Sequence, residues 1–66
     1  MKVTVNGAPL EIPPGTTLQQ LLEQLGHRAA GVAVAVNLEF VPRSHHLDRE
    51  LKEADEIEIV APIAGG

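Results

Sequence analysis

The residues best placed to do chemistry are the last two, Gly65 and Gly66. Gly66 carries the terminal carboxylate on a carbon with no side chain, so nothing local shields its carbonyl from attack. Gly65 leaves the preceding backbone free to adopt conformations closed to other residues, which suits a tail that must thread a narrow site. A carboxylate is a poor electrophile until it is given a leaving group, so the chemistry on offer is acyl activation. The plain alternative is a frayed end. At average glycine usage of about 7%, chance puts two glycines there in about 0.5% of chains.

The other reactive side chains offer less. His45 and His46 are adjacent, and neighbouring residues rarely converge on one ion; His27 is distant in sequence. They are expected to be solvated surface histidines, with no metal bound, and His27 to favour the negative end of a helix. Glu53, Asp55, Glu56 and Glu58 read as a turn and the wet face of a strand, with partner steering as the alternative.

Composition narrows the field. The 66 residues suffice for one domain, expected to span 1–66 with 61–66 as a flexible tail. Hydrophobic residues make up 44% and charged residues 21%, the balance of a packed globule. There is no cysteine, so neither a disulfide nor a thiolate metal site can hold the fold. Phe40 is the one aromatic residue and the formal charge is −4, which excludes base stacking and repels phosphate backbones. No nucleic-acid partner is expected. No stretch reaches the ~20 apolar residues of a membrane span, and Thr4, Asn6 and Gly7 interrupt any signal-like start. The expectation is a cytoplasmic protein without membrane contact.

The elements that would present the tail follow from periodicity. Val3 and Val5, then Leu10 and Ile12, alternate with polar residues around Asn6-Gly7, the dipeptide suited to a two-residue hairpin turn. Pro13-Pro14-Gly15 ends the second strand. Thr17 and Gln20 form a capping-box pattern. Leu18, Leu21, Leu22 and Leu25 then make one helical stripe, with Gly26 as the stop. Residues 32–36 read as a strand with two apolar faces, and Leu38 to Val41 as a shorter edge strand halted by Pro42. Ser44 to Ala54 reads as irregular, with Leu47 and Leu51 anchoring a short helical turn. Glu56 to Val60 alternates with Ile57 and Ile59 inward, and Pro62 releases the tail. One helix has one stripe to bury, so it should lie on one face of a single mixed sheet.

A strand–strand–helix–strand order that ends in Gly-Gly resembles the ubiquitin-like β-grasp fold. Asn6-Gly7, Val34-Ala35-Val36-Asn37, Val41-Pro42-Arg43 and the run from Asp55 to Val60 before Gly65-Gly66 together resemble the ThiS family, the sulfur carriers of thiamine biosynthesis. The chain departs from that family at His46, where a tryptophan is frequent, and at Ala54, where a glycine precedes the aspartate. The resemblance implies an α+β, β-grasp domain with a mixed sheet of about five strands on one helix. It implies that an E1-like adenylating enzyme of the ThiF type uses ATP to adenylate the Gly66 carboxylate. A persulfide-bearing enzyme then supplies sulfur, leaving a terminal thiocarboxylate for a thiazole synthase of the ThiG type. Ile63, Ala64 and Gly65 would be the tail inserted into those active sites. The carrier would bind no cofactor and would not itself be an enzyme. Without cysteine, a chain that carries sulfur can carry it only at its terminus. Molybdopterin synthase small subunits and noncatalytic ubiquitin-like modules share the overall pattern; Val41-Pro42-Arg43 and the short length favour the thiamine branch.

One surface expectation comes from the residues alone. If Val41 points inward, alternation turns Phe40 outward. Phe40, Ala33, Ala35 and Val60 would then form an apolar patch on the helix-free face, with Arg43 nearby, and such patches mark docking sites.

Overall fold

A computed structural model describes residues 1–26 and 32–60. Strand β1 (Lys2–Val5) and strand β2 (Ala8–Glu11) form the first hairpin, and helix α1 (Leu18–Gln24) follows. Strands β3 (Ala33–Val36) and β4 (Glu39–Val41) form the second hairpin; a 3-10 turn spans Arg43–His45 and β5 (Glu56–Val60) completes the set. The sheet order is β2-β1-β5-β3-β4. β1 and β5 run parallel, and the other pairs are antiparallel. The last strand is thus the middle one, held on both sides. The two edges are short, and β2 carries Pro9, which lacks a donor for a further strand.

The first hairpin turns at Asn6 (φ 50°) and Gly7 (φ 85°), as the dipeptide predicts. The Asn6 side chain does more than turn. Its Oδ1 accepts from the Ile59 N–H at 2.8 Å and its Nδ2 donates to the Ile59 carbonyl at 3.3 Å. It thereby continues the parallel β1–β5 ladder one step beyond the strand.

The helix begins with a complete account of its free N–H groups. Leu18 N–H donates to the Arg49 carbonyl (2.8 Å), and Gln19 N–H to the His46 carbonyl (3.0 Å). Gln20 N–H donates to Thr17 Oγ1 (3.2 Å), and the Gln20 side chain returns a bond to Thr17 N–H (2.9 Å). The capping box read from the sequence is present, and the remaining donors are satisfied from the far segment 46–49. Leu18, Leu21 and Leu22 are buried against Val3, Val34, Val36, Val41, Ile57 and Ile59. The fourth leucine of the stripe, Leu25, is exposed, because it caps the helix where the sheet no longer covers it.

Several expectations are corrected. Residue Leu38 is not in the edge strand; Val36 pairs with Glu39, so Asn37 and Leu38 form a two-residue turn with φ 53° and 68°. The short helical turn lies at Arg43–His45 and is not anchored by Leu47, which is 71% exposed. Leu51 is buried in the core, and His46 is buried as well. His46 is therefore no surface histidine: it is 4% exposed, with Nε2 3.1 Å from the Val41 carbonyl. Asp55 is not wet either. Its carboxylate accepts from Asn37 Nδ2 (2.9 Å) and Lys52 N–H (2.8 Å), tying the β3–β4 turn to the start of β5. His27, Pro62 and the tail residues Ile63, Ala64, Gly65 and Gly66 lie outside the described residues.

Candidate functional site

The site is built around the end of β5, since the terminal glycines follow it. Ile57 and Ile59 are buried and Glu56, Glu58 and Val60 are exposed, so the strand has one core face and one open face. Val60 pairs with Ala33 and Ile59 with Val34, while Asn6 grips Ile59 from the other side. The chain is therefore held by both neighbours up to Ile59, and by β3 alone at Val60, the last described residue of β5. A substitution in this clamp would shift the base of the tail; one beyond it would leave the sheet untouched.

Register then brings the predicted surface residues together. Ala35 faces Phe40, and Ala33 faces Val60, all on the helix-free side of the sheet. Phe40 is 67% and Val60 66% exposed, an unusual share for large apolar side chains in so small a fold. Arg43 lies next to this patch along the chain, in the 3-10 turn after β4. It follows Val41, whose partner row runs through Val34 to Ile59, and so stands at the sheet end where β5 finishes. A hollow of about 240 Å³ beside Phe40, bordered by Pro42, His45 and Arg49, opens along the β4 edge.

No group of three or more His, Asp or Glu among the described residues could hold a metal ion. No helix among them is long and apolar enough to cross a membrane. Every buried side-chain polar atom described has a partner, so no orphaned group points into a ligand site. What the described part offers is a rigid support and an apolar face at the root of the tail. Sequence reasoning missed the Asn6 clamp and the Asn37–Asp55 link. Both asparagines are legible as turn formers, but their pairing with β5 depends on strands more than fifteen residues away.

Comparison with known proteins agrees with this architecture. The profile of the ThiS family matches residues 3–66. The chain is 36% identical to the sulfur carrier protein ThiS of Escherichia coli K12 over the whole of both chains. It is 39% identical to the sulfur carrier protein ThiS of Thermus thermophilus, covering 97% of this chain and 98% of that one. A thiazole synthase of Paramagnetospirillum magneticum contains a stretch 39% identical to the whole chain, 20% of its own length. The crystal structure of the thiamine biosynthesis protein ThiS from Geobacter metallireducens superposes with a TM-score of 0.84 at 29% identity, covering all of both chains. With the β-grasp sheet, the single helix and the family's pattern over nearly every residue, the chain belongs to the ThiS family, the sulfur carriers of thiamine biosynthesis.

Proposed function

We propose that Gly66 is the residue that carries the sulfur, through its carboxylate. An E1-like adenylating enzyme of the ThiF type brings ATP; a Gly66 carboxylate oxygen attacks the α-phosphorus and pyrophosphate leaves. The terminal sulfur of a protein persulfide then attacks the acyl carbon, and AMP departs with that oxygen. A thiol cleaves the resulting acyl disulfide, supplying two electrons as it forms a disulfide, and leaves the thiocarboxylate. A thiazole synthase of the ThiG type accepts the sulfur. The carrier contributes no acid, base or metal, binds no cofactor, and is a co-substrate; proximity and charge stabilisation come from its partners. Ile63, Ala64 and Gly65 enter those active sites ahead of it, and the loading step's need for ATP implies a cytoplasmic site of action.

The observation that supports this reading is the central β5, paired on both sides as far as Ile59 and to β3 at Val60, six residues before the Gly66 terminus in the sequence. The Ala33, Ala35, Phe40 and Val60 patch supplies a surface for transient docking, with Arg43 at its tail-side end.

Complementation tests the proposal. A thiazole-requiring strain that lacks its own carrier should grow when given the intact chain and fail when given a chain without Gly65-Gly66. Growth with the tail-deleted chain would rule out the terminal carboxylate as the working group.

A further inference from the structure

The two hairpins have the same two-residue connection and fill it differently. The first uses Asn6 and Gly7, at φ 50° and 85°. The second uses Asn37 and Leu38, at φ 53° and 68°. Left-handed backbone suits glycine and is tolerated by asparagine, whereas a leucine there crowds its own carbonyl. Leu38 is also 85% exposed, so no core contact offsets the strain. For the isolated fold a glycine would serve better, as Gly7 does in the other turn. A residue unfavourable to the fold on two counts and presented at the surface points to a role in contact with something else.

Its position narrows that role. Leu38 borders a hollow of about 330 Å³ with Thr4, Glu56 and Glu58, all on the helix-free side. Thr4 is paired with Glu56, so this is the opposite end of β5 from Val60, four residues or about 13 Å away. The open face is therefore graded. Val60 with Ala33 is aliphatic, Glu58–Ala35–Phe40 is mixed, and Glu56 beside Leu38 is acidic with one large apolar side chain. Neither glutamate has an ion-pair partner among the described residues.

We propose that Leu38 is a second anchor of the docking face, entering an apolar recess on the thiazole synthase whose rim carries lysine or arginine side chains opposite Glu56 and Glu58. The proposal rests on the carrier reading above and extends the face beyond the Phe40–Val60 patch. A single apolar patch next to the tail leaves the carrier free to rotate about the contact. Two contacts at opposite ends of β5 fix that rotation, and with it the direction in which the tail leaves Val60. Charge complementarity favours a basic rim, given the glutamates and the net charge of −4. Thiazole synthase is the partner of choice because proteins of that name hold a stretch like this chain within the same polypeptide, which keeps the two at high effective concentration.

The test measures affinity for the cognate thiazole synthase and, separately, for the activating enzyme by calorimetry, together with Tm, for the unaltered chain, Leu38→Gly and the double variant Glu56→Gln/Glu58→Gln. Leu38→Gly is expected to keep or raise Tm while weakening binding about tenfold or more. The double variant is expected to weaken binding at low salt and to flatten its salt dependence. Unchanged affinity in Leu38→Gly would overturn the proposal alone. So would a lowered Tm, which would show that the leucine serves the fold. So would weakened binding to the activating enzyme only, which would assign the anchor elsewhere. Failure of the unaltered chain to bind would remove both the proposal and the reading beneath it.

Discussion

Ala54 holds a left-handed conformation, φ 71°, in the tight turn that leads Asp55 into β5. Its N–H donates to the Lys2 carbonyl (2.8 Å), so the turn cannot relax without breaking a link to β1. Left-handed backbone costs a non-glycine residue about 1–2 kcal/mol, part of which glycine gives back through its freer unfolded chain. Ala54→Gly should therefore stabilise the fold by about 1 kcal/mol, a rise in Tm of about 4–8 °C read by thermal denaturation. His46 makes the opposite case. It fills a core position and bonds the Val41 carbonyl, so His46→Ala should destabilise by about 2–4 kcal/mol in a urea titration. Nothing in the sequence around His45-His46 distinguishes the buried histidine from its exposed neighbour. What separates them is the 3-10 turn after Pro42, which rotates one ring inward and the other out.

At the scale of elements, α1 is only seven residues long, too short to persist without help at its ends. Help comes from two sources that differ in how visible they are. The Thr17–Gln20 box is local, and its spacing reveals it. The carbonyls of His46 and Arg49 are supplied by a segment almost thirty residues on, and only the folded chain shows them. Thr17→Ala should cost about 1 kcal/mol and loosen the first turn, seen as faster amide exchange at Gln20. The same contrast runs through the whole chain. The first hairpin, the leucine stripe and β5 are written in periods of two and 3.6 and were legible. The stretch from Arg43 to Asp55 has neither period. Its order comes from backbone bonds to α1 and β1 and from the Asn37–Asp55 link, so His46, Leu47 and Asp55 were misplaced by local reasoning, and Leu38 was misplaced separately because Asn37-Leu38 turns the β3–β4 hairpin.

At the scale of the molecule, support and reacting end are separable. The core closes with Ile59, and the open face runs beside it to the base of the tail. Phe40→Asp, which puts a charge into that face without touching the core, should leave Tm nearly unchanged and weaken binding to the activating enzyme about tenfold or more in a pull-down titration. Retained tight binding would remove the patch from the docking account. The terminal carboxylate itself was legible from sequence only as chemistry waiting for activation; the fold adds a central strand that is paired as far as Val60, and the family is one of sulfur carriers. Intact-protein mass spectrometry joins these most directly. After incubation with the cognate activating enzyme, ATP and a persulfide donor, the chain should gain the mass of one sulfur in place of one oxygen, localised to Gly66, and a chain lacking Gly65-Gly66 should gain nothing. An unchanged mass in a system that loads another ThiS protein, or a gain that survives deletion of the two glycines, would contradict the account.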